Sequence, residues 1–207
     1  MNSLHTTPIA LYRTRQPLIL ASASPRRSEL LKRIGLDFQV IPSGTEETNH
    51  VPTGICEQVE RWAREKALAV SLLRPGSWVL GADTVVVLEG RILGKPRNAN
   101  EARSMLEDLS AKTHEVTSAI CLIHQDNGFQ RIQTVTSRVR FRSLGGREIE
   151  AYIRTGEPLD KAGAYGVQGM GACMVQEVSG SYTNVVGLPL CETLEWLLEL
   201  EIVAPAV

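Results

Sequence analysis

The chain has no excess of either charge: 22 Lys and Arg stand against 23 Asp and Glu, a formal net charge of −1 at pH 7. It therefore carries no global field that would gather nucleic acid or an anionic membrane, and any anion site must be local. Cysteine is also sparse. Cys56, Cys121, Cys173 and Cys191 lie far apart with no CxxC pair, which excludes a disulfide framework and suits four packed free thiols in a reducing cytoplasm. No apolar run approaches the roughly 20 residues of a membrane span, and residues 1–16 lack the continuous hydrophobic core of a signal peptide. There is no internal repeat, low-complexity tract or long Pro/Ser linker. Neither a P-loop nor a Rossmann fingerprint is present, and no Ser/His/Asp or Cys/His arrangement points to a covalent intermediate.

What is present is a conventional soluble composition: 207 residues, 43% hydrophobic and 22% charged, enough for a sizeable core. The expected organisation is a loose extension over residues 1–16 and a single compact domain over 17–207. Strands are expected at 18–21, 38–41, 78–88, 91–93, 114–124, 129–142 and 173–178. Helices are expected from Pro25 to a stop at Gly35 and at 53–72, 98–109, 146–155 and 188–200. His114 and His124 have no metal-ligand spacing to each other and read as incidental.

The segment Ser22-Ala23-Ser24-Pro25-Arg26-Arg27 follows the first strand and opens a helix. With Ser24 as N-cap and Pro25 as first helical residue, Arg26 and Arg27 fall in the first turn, beside the positive end of the helix dipole. Acidic residues would serve the fold better there. Backbone N–H groups, two hydroxyls and two guanidiniums converging on one point suit a phosphate chain; an ordinary helix start with two solvated arginines is the other reading.

Two further residues stand out against their surroundings. Lys66 lies within the apolar stripe of Ile55, Val59, Trp62 and Val70, so it either snorkels to a domain edge or sends its ammonium into a cleft to meet an anion. Asp83 interrupts the most hydrophobic stretch of the chain, Trp78 to Leu88. A carboxylate there needs a partner, a hydrogen bond or a cation, which marks Asp83 as the best single candidate for a working residue; a capping role at a kink beside Gly81 is the alternative. Lys95, after the return strand, adds positive charge. Four glycines within residues 163–171 allow close approach of backbone to a ligand, and the Gln168 amide among them both donates and accepts, as reading a base edge requires.

Taken in order, Ser22 to Arg27, Glu46-Glu47, Glu65-Lys66-Ala67, Gly81-Ala82-Asp83-Thr84-Val85, Gly94-Lys95-Pro96, residues 160–169 and Val186-Gly187-Leu188-Pro189 resemble the motifs of Maf-like nucleotide pyrophosphatases. The resemblance spans roughly residues 18–200 and implies an α/β fold with an elongated mixed sheet flanked by helices in two lobes, similar to inosine triphosphate pyrophosphatase. It implies hydrolysis of a nucleoside triphosphate to the monophosphate and pyrophosphate with a divalent metal, Mg²⁺ or Mn²⁺. Arg26, Thr84 and Gln168 match the branch acting on dTTP and UTP rather than the 7-methyl-GTP branch.

On that resemblance Ser22, Arg26, Arg27, Lys66 and Lys95 bind the triphosphate. Glu47 and Asp83 hold the metal, and Asp83 orients or deprotonates the attacking water, roles that compete. Thr84 and Gln168 help choose the base. Neighbours on an extended backbone face opposite ways, so only one of Glu46 and Glu47 reaches the metal, and the resemblance favours Glu47; Ser22 is preferred over Ser24 because Ser24 is occupied as N-cap. The resemblance favours a homodimer. Its rival readings are a non-catalytic nucleotide or nucleic-acid binder regulating septum formation, and the same hydrolysis of 7-methyl-GTP or other nucleotides. A nucleoside triphosphate is the expected partner, with no membrane and no nucleic acid.

Overall fold

The computed structural model of the chain describes residues 10–45 and 54–207. Its centre is strand β4 (Trp78–Leu88), whose alternating side chains feed three separate cores. Val79, Val85 and Val87 pack with Val59, Trp62, Ala63 and Val70 of helix α2 (Ile55–Ser71) on one face. On the other face Leu80 and Ala82 join Leu30 and Leu31 of α1 (Pro25–Arg33). Further along that same face, Val86 and Leu88 join Leu106 and Leu109 of α3 (Ala99–Leu109) and Ile149 and Tyr152 of α4 (Gly146–Arg154). Alternation along the strand separates the two faces, and the packing of α1 at one end and of α3 and α4 at the other divides one face into two lobes, with Thr84 between Ala82 and Val86 at their boundary.

The sheet is mixed. Strand β2 (Leu18–Leu20) runs parallel to β3 (Gln39–Val40) and to β4, with α1 and α2 supplying the crossovers that parallel pairing demands. The other pairings are antiparallel: β4 with β5 (Arg91–Leu93) and with β6 (Thr113–His124), β6 with β7 (Phe129–Phe141), and β7 with β8 (Val175–Ser179). Gly128, at φ +67°, closes the β6–β7 turn. The strand order is β3-β2-β4-β6-β7-β8, with β5 beside β4. Strand β2 covers β4 only along Trp78, Val79 and Leu80, and β5 covers it only from Val86 to Leu88. Between them, residues 81–85 have no strand neighbour on that edge among the described residues. This gap lies beyond the carboxyl end of β2, where open α/β sheets bind ligands.

Several expectations are corrected. The described part of the supposed loose extension is tied down: β1 (Tyr12–Thr14) pairs with β9 (Val203–Pro205), and Tyr12 N–H donates to the Ile34 carbonyl at 3.0 Å. The helix expected over 188–200 is α6 (Leu190–Glu199), and a short helix that was not expected, α5 (Tyr182–Val186), precedes it. Gly187 at φ +129° and Pro189 separate them. Of the four cysteines only Cys121 is packed; Cys56, Cys173 and Cys191 are exposed. No helix among the described residues is long and apolar enough to cross a membrane.

Candidate active site

A cleft of about 1050 Å³ opens at the uncovered edge of β4. Ser22, Arg26, Arg27, Lys66, Asp83, Thr84, Lys95 and Gln168, separated by up to 146 positions in sequence, all line it. Glu47 lies outside the described residues.

The β2–α1 connection builds the first wall. Ser24 takes the N-cap position, as its place before Pro25 predicts, but its side chain makes no capping bond. Instead the Ser24 backbone N–H donates to Ser22 Oγ at 3.2 Å. Ser22 thus braces the turn that leads into the helix, while Ser24 keeps the N-cap position. Arg27, 9% exposed, is turned into the wall: it donates from Nε to the Gly187 carbonyl at 2.7 Å, from NH1 to Ser22 Oγ at 3.0 Å and from NH2 to Thr84 Oγ1 at 3.1 Å. One guanidinium thus holds three separate chain segments at the boundary between the lobes. Thr84 Oγ1 also meets Ser118 Oγ at 2.8 Å and donates to the Gly187 carbonyl at 3.1 Å as one of its hydrogen-bond options. Its hydroxyl is committed to the protein.

Asp83 is 3% exposed and its Oδ1 accepts a hydrogen bond from Lys66 Nζ in a close ion pair. The meeting follows from Gly81. A Cβ there would stand 2.7 Å from the Ala67 nitrogen and 2.8 Å from Ala67 Cβ, so the missing side chain lets α2 lie directly on the strand two residues before Asp83. Lys66 neither snorkels outward nor sits idle in the stripe; it is the cation that accompanies a buried carboxylate.

The opposite wall contains residues that the sequence left without a role. Asp160 stands between Arg26 NH1, at 3.3 Å, and Lys161 Nζ, at 2.6 Å. Burial pushes the Asp160 carboxyl up, but the Lys161 ammonium and the Arg26 guanidinium outweigh it and hold it below the usual carboxylate range. Lys161 also donates to the Glu157 carbonyl at 2.7 Å. The adjacent opposite charges at the entrance to the glycine-rich stretch were the available signal. His114, far from incidental, is buried with Nε2 2.8 Å from the hydroxyl of Tyr165, a cleft residue. Burial pushes its pKa down to about 4.

Arg26, Arg27, Lys66, Lys95 and Lys161 thus face Asp83 and Asp160 across one cavity, a local cationic excess in a chain whose net charge is −1. Such a cleft neutralises a polyanion and stabilises charge that develops when it is cleaved. Among the described residues no group of three His, Cys, Asp or Glu side chains is placed to hold a metal. The donor chemistry still suits Mg²⁺ or Mn²⁺ arriving with phosphates, because such an ion uses one or two carboxylates plus phosphate oxygens, and Asp83 presents a hard oxygen donor in the cleft.

A family model described as Maf-like protein matches residues 17–200. The chain belongs to that family. It is 51% identical over 185 residues to a dTTP/UTP pyrophosphatase of Syntrophus aciditrophicus, covering 89% of this chain and 90% of the relative. It is 49% identical over 182 residues to a dTTP/UTP pyrophosphatase of Halalkalibacterium halodurans, covering 88% and 95%. Among solved structures, the Ham1 protein of Staphylococcus aureus matches at 15% identity and a TM-score of 0.48 over 90% of this chain and 100% of that one.

Proposed function

We propose that this chain hydrolyses dTTP and UTP to the monophosphate and pyrophosphate, by attack of water at the α phosphorus. The observation that carries the proposal is Asp83: a buried carboxylate paired with Lys66 inside a cleft whose charged lining has an excess of cations. A site that only bound phosphate would gain nothing from a carboxylate there, since Asp83 would repel the ligand. Relatives about half identical and bearing the name dTTP/UTP pyrophosphatase support the reaction and the substrates.

In this reading Arg26, Lys66 and Lys95 provide countercharge along the triphosphate, and Ser22 and the α1 backbone add directional hydrogen bonds. Arg27 contributes charge from within the wall while bracing Ser22 and Thr84. Asp83 takes the proton of the attacking water as its oxygen bonds to the α phosphorus. The bond from that phosphorus to the bridging oxygen breaks, its electron pair leaves with pyrophosphate, and the cations stabilise the departing charge. Asp83 and Glu47 would hold Mg²⁺ or Mn²⁺, which supplies further charge neutralisation on the phosphates. Gln168 reads the base and Thr84 limits the pocket. The family resemblance supports a homodimer, the scattered cysteines suit the cytoplasm, and the near-neutral charge argues against a nucleic-acid partner.

The test is pyrophosphate release from dTTP, UTP, CTP, GTP, ATP and 7-methyl-GTP with Mg²⁺, with Mn²⁺ and with chelator. Metal-dependent turnover led by dTTP and UTP is expected. Nucleotide binding without turnover of any member of the panel would favour a non-catalytic regulator instead.

A further inference from the structure

The loop that carries Gln168 is held at both ends by a carboxylate and a phenol that do not themselves line the cleft. Glu157 Oε2 accepts from the Met170 backbone N–H at 2.9 Å, and Oε1 accepts from the Gly171 N–H at 3.1 Å and from the Tyr152 hydroxyl at 2.9 Å. The same Tyr152 oxygen accepts from the Gly166 N–H at 3.2 Å. Three backbone donors flanking Gln168 thus converge on one Glu157–Tyr152 pair. The glycines fit this arrangement: a Cβ on Gly169 would overlap the Glu157 carboxylate, and one on Gly171 would stand 2.6 Å from the Tyr152 oxygen. Burial pushes the Glu157 carboxyl up, yet the Met170 and Gly171 N–H groups, the Tyr152 hydroxyl and the Lys161 charge outweigh it and keep it below the usual carboxylate range. Glu157 is absent from the residues lining the cleft, whereas Gly166, Gln168 and Gly169 line it.

We infer that Glu157, with Tyr152, is a positioning residue for nucleobase recognition, fixing the 166–171 loop so that the Gln168 amide meets the base in one orientation. The inference rests on the proposed pyrophosphatase reading and names the residues behind its base selectivity. Hydrogen bonds from backbone N–H to a carboxylate are the strong, directional kind, and a loop so rich in glycine has little rigidity of its own.

The experiment uses the full chain with Glu157→Gln, which keeps volume but places an NH₂ group where one of the backbone donors needs an acceptor, and with Tyr152→Phe, which removes only the phenol oxygen. KM for dTTP is expected to rise on the order of tenfold in Glu157→Gln with kcat within about twofold, and the preference for dTTP over CTP to narrow by a similar factor. Tyr152→Phe should shift both in the same direction by less, and carries the test if Glu157→Gln fails to fold. Amide hydrogen exchange at residues 166–171 should quicken in both, a readout independent of turnover. Unchanged KM, selectivity and exchange in a native-like variant would overturn the inference. Faster exchange with unchanged selectivity would leave Glu157 a purely structural clamp and overturn it too. Absence of pyrophosphate release by the unmodified protein would overturn the pyrophosphatase reading itself, and the inference with it.

Discussion

Gly81→Ala is a one-carbon change that tests how the Lys66–Asp83 pair is assembled. The added Cβ would stand 2.8 Å from Ala67 Cβ and 2.7 Å from the Ala67 nitrogen, and closer still to the Ala63 carbonyl oxygen. Unstrained carbon contacts need roughly 3.5–4.0 Å, so α2 must retreat by about 1 Å. It cannot do so freely, because Val59, Trp62, Ala63, Ala67 and Val70 are packed in the same core. Overpacking of this kind costs about 1–3 kcal/mol, equivalent to a fall in Tm of roughly 2–12 °C for a chain of this size. Lys66 moves with the helix while Asp83 stays with the strand, and a displacement of about 1 Å at a reacting group can cost on the order of 10² in rate. Thermal unfolding and steady-state pyrophosphate release on the same preparation separate the two effects. Activity should fall by far more than the residual folded fraction explains. A variant with native Tm and native turnover would refute the claim that close α2 packing positions the pair.

Other consequences follow from single groups. His114, buried and pushed down to about 4 from 6.5, binds a proton more readily in the unfolded chain. Its contribution is therefore complete above pH 6.5 and is lost as pH falls toward 4, by roughly 3 kcal/mol at most. Urea unfolding of His114→Gln should show a shallower decline over that window, and an unaltered slope would contradict the assignment. The Cys121 thiol, pushed up to about 12 by burial, should resist a thiol reagent in the native protein while the exposed Cys56, Cys173 and Cys191 react; rapid native labelling at Cys121 would be inconsistent with its packing. Gln168→Glu should reduce use of dTTP and UTP more than it lowers Tm, and unchanged relative rates across nucleotides would remove Gln168 from base selection.

Much of the cleft was legible in the sequence because its residues break local rules. Arg26 and Arg27 are cations at a helix start, Lys66 is a charge in an apolar stripe and Asp83 is a carboxylate in a β-branched run, and each departure needs a compensating partner. The partners themselves were less visible. That Lys66 answers Asp83 depends on α2 crossing β4 at Gly81, a tertiary fact with no local trace. Ser24 is the N-cap that its place before Pro25 predicts, but only the backbone path shows that its side chain makes no capping bond and that Ser22 Oγ accepts from its N–H. Asp160 and Glu157 look like ordinary surface acids until the fold brings Arg26 to one and the glycine loop to the other. Short elements escaped for a similar reason. Strands β1 and β9 contain three residues each, too few to display alternation, and they exist because they pair across nearly the whole length of the chain.

The central claim is that Asp83 performs chemistry in the cation-lined cleft, and it is tested most directly by pyrophosphate release from dTTP by Asp83→Asn beside the native protein. The account predicts a folded variant, volume being conserved, with turnover reduced by about 10²–10⁴. Turnover within about twofold of native, in a variant with native-like unfolding, would contradict it.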